Sequence, residues 1–461
     1  MKILFINLSI RPDAKRRLLP VGLAYVMTAV KKAGFEFDLI DMDVDLLSFE
    51  DLEAMLERKT YDVYAFGCIV TGFKFARQLS STIKRINPQA TIVAGNSVAT
   101  SIPELLLMNT MVDIAVLGEG DVTMVELLKA LDKNNHVGAI AGIAYKDNNK
   151  VVFSEKREVE PKLDSFGFPD WNIFNLEKYN SYSMVNSNAF FSQSVAPYPL
   201  NTGRGCPYSC TFCYHAFKGK AYRRYSECSI VNEIKRLHEE FKATYIMFWD
   251  ELTFPNTKAV RALVDQMADL DFKFGWDAPC RAGLFNKADV SLIKEMKALG
   301  CENIAFSLEN GSPEILKAMN KKITVEQFKE QSKALWAGGV PPRTSVVLGY
   351  PQETPETIQM TMDVCDECNI FPSVGFLLPL PGTPIYQWAR DKGHIPDEVA
   401  YLEQLGDRQD FHINLTSMSD EIFVETATEK LGKLADKLGL ELDSIFKTVQ
   451  YQKPKREILA A

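Results

Sequence analysis

Asn201-Thr202-Gly203-Arg204-Gly205-Cys206-Pro207-Tyr208-Ser209-Cys210-Thr211-Phe212-Cys213 places three cysteines within eight positions, spaced by three residues and then two. Thiolates are the soft ligands that iron–sulfur clusters take. This spacing puts three sulfurs on one short loop, able to converge on one face of a cluster. A structural zinc or ferredoxin-type site takes four ligands, and no nearby His or Cys completes a conventional pair. Three sulfurs for four irons leave one iron open, and an open iron can bind a reactant. A zinc knuckle and three unpaired core thiols are the other readings of the same spacing.

The rest of the chain sets limits on that loop. At 461 residues it is too long for one ordinary core, so two or three domains are expected. Its 46% hydrophobic and 24% charged content is that of a globular protein, with no apolar run of about 18 residues that could span a membrane. The opening Met1 to Leu8 has the look of a signal peptide but is short and followed at once by Arg11, Asp13 and Arg17. It reads as a buried strand, which makes a cytoplasmic site the expectation. A net charge of −8 argues against a nucleic-acid partner, since the basic stretches at 15–17 and 218–224 are local. Nine cysteines without a secretory signal imply reduced thiols rather than a disulfide frame. Cys68, Cys228, Cys280 and Cys301 are expected to be buried small hydrophobes. Cys365 and Cys368 lie in a helical pattern and lack the partner pair of a second metal site.

Residues 1–153 alternate short apolar runs with amphipathic helical patterns and close in a β-hairpin. This predicts a doubly wound parallel sheet of Rossmann-like type. Such sheets bind ligands at the carboxyl ends of their strands. Here those ends are rich in small residues that let backbone approach a large ligand. They include Ser9, Gly67-Cys68-Ile69-Val70-Thr71, Gly95-Asn96 and Gly118-Glu119-Gly120. None is a Gly-x-Gly-x-x-Gly or a P-loop, so a nucleotide is not implied. Residues 154–197 read as an aromatic, proline-bearing linker packed on both neighbours. Residues 198–390 carry a second βα series with strands at Leu200 to Thr202, Tyr245 to Phe248, Phe272 to Trp276, Asn303 to Leu308, Val346 to Leu348 and Val374 to Leu378. Six units predict a partial (β/α)6 barrel with its chemistry at the strand carboxyl ends. Residues 391–461 read as mostly helical, with 453–461 frayed.

The Cys-x-x-x-Cys-x-x-Cys loop, with Arg-Gly-Cys-Pro before it and the aromatics Phe212 and Tyr214, resembles the cluster loop of the radical S-adenosylmethionine (radical SAM) enzymes. Pro20-Val21-Gly22-Leu23-Ala24-Tyr25, Gly34, Asp41 and the Gly-Glu-Gly of 118–120 resemble the cobalamin-binding domain that precedes many such cores. Leu380-Pro381-Gly382-Thr383-Pro384 is similar to cores of that branch. The Asp-x-His-x-x-Gly motif of classical cobalamin methyltransferases is absent, and no histidine precedes His136. Gly95-Asn96-Ser97-Val98 stands where the branch often has Gly-Gly-Pro-His.

The resemblance implies a [4Fe-4S] cluster on Cys206, Cys210 and Cys213, with S-adenosylmethionine chelating the open iron. It implies S-adenosylmethionine contacts at Phe212, Tyr214, Phe248, Asp250, Glu251, Arg281, Ser307, Glu309, Gly349 and Tyr350. It implies cobalamin contacts at Ser9, Gly67, Cys68, Thr71, Gly95, Asn96, Gly118, Glu119 and Gly120. The activity implied is C-methylation at an unactivated carbon through a 5′-deoxyadenosyl radical and methylcobalamin. Radical oxidation, cyclisation or rearrangement is the enzyme alternative. A methylthiotransferase would bring three more cysteines to the amino-terminal domain, which holds only Cys68. A non-catalytic cobalamin or redox sensor would leave the acid, Arg and Glu set unexplained. The implied partners are a small-molecule or peptide substrate and an electron donor such as flavodoxin or ferredoxin, with no nucleic acid and no membrane span.

Overall fold

A computed structural model describes residues 1–14, 17–148, 150–182, 196–216 and 222–440. Its amino-terminal sheet comprises β1 (Ile3–Asn7), β2 (Asp38–Asp41), β3 (Val63–Gly67), β4 (Thr91–Gly95), β5 (Ile114–Val116), β6 (Ile143–Asp147) and β7 (Lys150–Phe153). The order is β2-β1-β3-β4-β5-β6-β7. The first five strands are parallel, and β6 and β7 add an antiparallel hairpin at the β5 edge. Both faces are covered, which is why β1 is apolar at every position but the last. Leu4 and Ile6 enter one core cluster, Ile3 and Phe5 the other. The chain order reverses between β1 and β3, and a ligand crevice belongs outside the carboxyl ends there.

The second unit runs through β8 (Pro197–Leu200), β9 (Gly203–Arg204), β10 (Arg223–Arg224), β11 (Tyr245–Phe248), β12 (Gly275–Pro279), β13 (Cys301–Ala305), β14 (Pro342–Arg343), β15 (Ser345–Leu348) and β16 (Ser373–Phe376). One sheet has the order β14-β13-β12-β11-β8, and β15 pairs with β16. Glu309 joins the two: its N–H donates to Ser345 O at 3.1 Å, and Val347 N–H donates to Glu309 O at 2.8 Å. The result is an open, barrel-like wall of parallel strands. Helices Val325–Ala337 and Pro355–Glu367 form where the sequence pattern places them. Each opens on a capping box, Thr324 with Gln327 and Thr354 with Thr357.

Three local expectations shift. The first barrel strand is Pro197–Leu200 rather than Leu200 to Thr202. Its prolines, which cannot donate to a ladder, are tolerated because β8 is an edge strand. The third is Gly275–Pro279, because Phe272 leaves the ladder to stack on His238 at 3.8 Å. Residues 96–101, read as a bare strand end, form a short helix, Asn96–Ser101.

Cys68, Cys301, Cys365 and Cys368 are buried, and Cys280 is half-buried. Cys228 is exposed, contrary to expectation. It lies in the first turn of Glu227–Phe241, a helix whose buried face begins at Ile230 and Val231. The linker does pack on both sides: Phe168 stacks on Tyr225 at 4.6 Å, and Asp170 N–H donates to Thr28 Oγ1 at 2.8 Å. Beyond residue 390, helix Asp420–Leu438 covers the barrel, with Phe423 against Phe376, while helix Glu398–Gln404 packs on helix Phe73–Ile86 of the amino-terminal domain, where Arg77 pairs with Glu403 at 3.0 Å. No described helix is long and apolar enough to cross a membrane. Residues 183–195 of the linker, parts of both basic stretches and the expected fraying at 453–461 lie outside the described residues.

Candidate active site at the facing strand ends

The cysteine loop leaves the carboxyl end of β8 and is pinned from three sides. Thr211 N–H donates to Met319 O (2.9 Å), and Thr211 Oγ1 donates to Ala318 O (3.0 Å). Ile385 N–H donates to Thr211 O (3.1 Å), and Asn320 Nδ2 donates to Ser209 O (2.9 Å). The loop is therefore shaped by the protein itself. The thiols sense one another: the charge of Cys210 raises both Cys206 and Cys213. Burial is the larger cause in each case, and it pushes the Cys213 thiol up to about 12. Among the described residues no three His, Cys, Asp or Glu side chains meet closely enough to hold a single metal ion. A zinc knuckle needs such a meeting point, whereas three sulfurs of a cube each bind a different iron. His215, which sequence reading passed over, is buried beside the loop, with Nε2 3.4 Å from Tyr208 O and Nδ1 unpartnered.

The Asp-Glu pair after β11 divides its work. Asp250 Oδ1 accepts from the backbone N–H groups of Thr202 (2.8 Å) and Gly203 (3.2 Å). Its Oδ2 accepts from the hydroxyls of Thr202 and Thr253, both at 2.8 Å. This half-buried carboxyl, raised in pKa chiefly by desolvation, sets the base of the cysteine loop. Glu251 is exposed and, among the described residues, accepts only from Gly205 N–H (3.1 Å). Phe248 points into the core, 2% exposed and edge-on to Trp276, so only its backbone reaches the strand end.

Arg281 lies with its guanidinium 3.6 Å from the Tyr208 ring centre, and its Nη2 is buried without a partner. Ser307 hydroxyl meets Ser345 hydroxyl at 2.8 Å. Glu309 adopts φ +64° and pairs with Lys321, Nζ to Oε1 2.7 Å. Lys321 Nζ in turn lies 6.0 Å from the Phe212 ring centre. Gly349, at φ +105°, donates to Glu353 Oε2 (3.2 Å), and Asn310 Nδ2 and Thr357 hydroxyl also donate to that buried carboxyl. Tyr350 is 2% exposed, its hydroxyl on Thr211, and burial pushes it up to about 12. Lys321 and Glu353 carry this frame, yet no sequence signal singled them out as site residues.

Across from the barrel lie the strand ends of the amino-terminal sheet. Ser9 donates to Asp43 (2.8 Å), a carboxyl also held by Arg17. Gly67 and Gly95 end adjacent strands, and Asn96 follows in the left-handed region at φ +68°. Cys68 is buried against Gly72, where a Cβ would meet its Sγ at 2.4 Å. Thr71 is half-buried in the single turn Val70–Gly72. Gly118 N–H bonds Thr100, and Gly120 packs on Val26. Tyr214, next to Cys213, meets Ser101 at the end of the helix that follows β4 and packs on Gly382. Glu119 is engaged by Arg204 (2.9 Å) and Arg223 (2.8 Å) of the barrel unit. Arg11, after β1, pairs with Asp407 at 2.8 Å.

A sheet and a barrel wall with their carboxyl ends opposed, one bearing three thiols, define an enzyme that brings two large cofactors to one space. Two family models match the chain, the B12 binding domain over residues 12–128 and the radical SAM superfamily over residues 200–365. The chain belongs to the cobalamin-dependent radical SAM enzymes, whose cofactors are a [4Fe-4S] cluster, S-adenosylmethionine and cobalamin. It is 27% identical to an uncharacterized methyltransferase of Pyrococcus horikoshii, covering 80% of this chain and 78% of that one. It is 27% identical to the anaerobic magnesium-protoporphyrin IX monomethyl ester cyclase of Cereibacter sphaeroides, over 83% of this chain and 62% of the cyclase. Cytidylyl-2-hydroxyethylphosphonate methyltransferase of Streptomyces wedmorensis is 24% identical over 87% and 84%. Among solved structures the fold is shared with the methyltransferase TsrM of Kitasatospora setae at a TM-score of 0.68, 18% identity and coverage of 86% and 77%. It is shared with the radical enzyme OxsB at 0.66, 18% identity and coverage of 96% and 62%.

Proposed function

We propose that this enzyme is a C-methyltransferase that acts on an unactivated carbon of a small molecule or peptide. The observation that carries the reading is the opposition of the two strand-end surfaces, with Tyr214 of the cysteine loop meeting the helix that follows β4 and Arg204 the turn that follows β5. A methyl group can pass between two cofactors only if both face one substrate. When bound, the cluster and S-adenosylmethionine supply a radical that removes hydrogen from carbon, and cobalamin supplies the methyl group.

The residues fit those groups. Cys206, Cys210 and Cys213 hold the cluster by three thiolates. Glu251 offers a free carboxylate oxygen to the ammonium of S-adenosylmethionine, and the orphaned Arg281 Nη2 offers a donor to its carboxylate. Glu309, fixed by Lys321, would serve the ribose, and the Gly349–Tyr350 turn would take the adenine, with Phe212 and Ser307 as neighbouring contacts. Asp250 and Phe248 position these groups without touching them. Ser9, Gly67, Cys68, Thr71, Gly95, Asn96, Gly118 and Gly120 form the corrinoid face, which Glu119 braces from behind. A reductant such as flavodoxin or ferredoxin supplies the electron.

Anaerobic reconstitution with iron, sulfide and hydroxocobalamin, followed by reduction with S-adenosylmethionine, tests this. A methyltransferase gives both 5′-deoxyadenosine and a corrinoid-dependent yield of S-adenosylhomocysteine. Deoxyadenosine alone supports a radical cyclisation or oxidation, the reading favoured by the cyclase relative. Neither product means a sensor. Cys210→Ala should lose the cluster absorption and most of the iron.

A further inference from the structure

Two arginines cross from the β9–β10 pair, which carries the cysteine loop, to the amino-terminal domain and meet two carboxylates there. Arg204 Nη1 and Nη2 take both oxygens of Asp121 at 2.9 and 3.0 Å, and Nη1 also meets Glu119 at 2.9 Å. Arg223, its cross-strand partner in β9–β10, takes both oxygens of Glu119 at 3.1 and 2.8 Å. The four side chains are between 4% and 11% exposed. The Arg204 guanidinium is also held between two rings, 4.9 Å from Tyr25 and 4.8 Å from Phe166. A bidentate, doubly stacked arginine has little freedom, and lysine cannot reproduce that planar fork.

What this fork joins is specific. Glu119 and Asp121 flank Gly120 in the turn that follows β5, and Gly118 in that turn is left-handed at φ +76°. Arg204 is two residues before Cys206, and the intervening Gly205 donates to Glu251. The corrinoid face, the first cluster cysteine and the S-adenosylmethionine acid therefore meet through one side chain and two backbone links.

We propose that Arg204 is a positioning residue that couples the two cofactor sites, so that corrinoid on the Gly118–Gly120 turn and S-adenosylmethionine on the cysteine loop each strengthen the binding of the other. The coupling is reciprocal by linkage and works without Arg204 touching either ligand. The inference rests on the cobalamin reading given above.

Equilibrium dialysis of hydroxocobalamin against the cluster-reconstituted enzyme, with and without S-adenosylmethionine, tests it. The wild-type enzyme should hold the corrinoid about 5-fold or more tightly with S-adenosylmethionine present, the lower end of ordinary allosteric coupling. Arg204→Lys should bring that ratio close to one while iron content stays at the wild-type level. Phe166→Leu leaves all four charges in place and removes one face of the stack; it should lower the ratio part of the way and serves if the lysine variant fails to fold. A ratio unchanged in both variants overturns the inference. So does a wild-type ratio of one with tight corrinoid binding. A wild-type protein that binds no hydroxocobalamin at all overturns the cobalamin reading and the inference together.

Discussion

Lys321 Nζ lies 2.7 Å from Glu309 Oε1, with the two side chains 11% and 7% exposed. Glu309 is a left-handed non-glycine residue at a strand end, a conformation that costs about 1–3 kcal/mol and persists only where its surroundings over-determine it. Both backbone bonds to β15 and the lysine do so here. The carboxylate is thus held in place before any ligand arrives.

The pair makes a first prediction. Lys321→Met leaves a buried carboxylate without its cation and should cost about 3–5 kcal/mol in urea unfolding. Adding Glu309→Gln to that variant should restore much of the loss, because neither charge then remains. Glu309→Ala alone should weaken S-adenosylmethionine binding about 10-fold or more with iron content unchanged, a loss of about 1.4 kcal/mol or more. Unchanged binding in Glu309→Ala removes this residue from the ligand site.

Asp250 leads to a second. Its five accepted bonds, one of them from Asn201 Nδ2 at 3.4 Å, require two carboxylate oxygens, and an amide keeps only one acceptor. Asp250→Asn should destabilise the protein by about 1.5–3 kcal/mol, and Thr202→Val should add little in the Asn background. If Asp250 instead held the ligand ammonium, the two substitutions would act independently, and a double-mutant cycle separates the cases.

How much of this was readable beforehand depended on how local each signal was. The cysteine spacing lies within one loop, and helix periods such as Val21–Lys32 are visible within a few turns. The Asp-Glu pair after β11 was visible too, but its division of labour was not. Apart from Thr253, the partners of Asp250 come from residues 201–203, nearly fifty positions away. Lys321 was invisible as a site residue because nothing beside it in the chain marks it, and Glu353, although it follows Gly349 and Tyr350 in the fifth strand end, shows no sign of its partner Asn310. Each acquires its role from Glu309 or Asn310 across a loop. Cys228 was misread because a small apolar residue in a helix's first turn carries no sign of which face it takes.

Gly311 leads to a third prediction. A Cβ there would lie 2.6 Å from the backbone of Met360 and Thr361, atoms that cannot rotate aside. Gly311→Ala should push the helix Pro355–Glu367 off the strand end and cost about 1–3 kcal/mol. Since that helix begins beside Glu353, which holds the Gly349 N–H, S-adenosylmethionine affinity should fall with stability. Full affinity in a destabilised Gly311→Ala protein would show the Gly349 turn to be independent of this contact.

Arg281 supports the most selective test. Its Nη2 is buried without an acceptor, and a buried, charged donor left unpaired is costly. A ligand carboxylate arriving at this point relieves that cost and gains a charge-assisted bond, worth about 1.5–3 kcal/mol. Arg281→Gln should therefore weaken S-adenosylmethionine binding by about 10- to 150-fold, that energy expressed as affinity. Decarboxylated S-adenosylmethionine keeps the sulfonium, ribose and adenine but has no group for Arg281 to meet, so its affinity should change little. The difference between the two ligands isolates the carboxylate contact from any loosening of Tyr208, on which the guanidinium stacks. Equal losses for both ligands would make Arg281 a support for the cysteine loop and return the carboxylate to another donor.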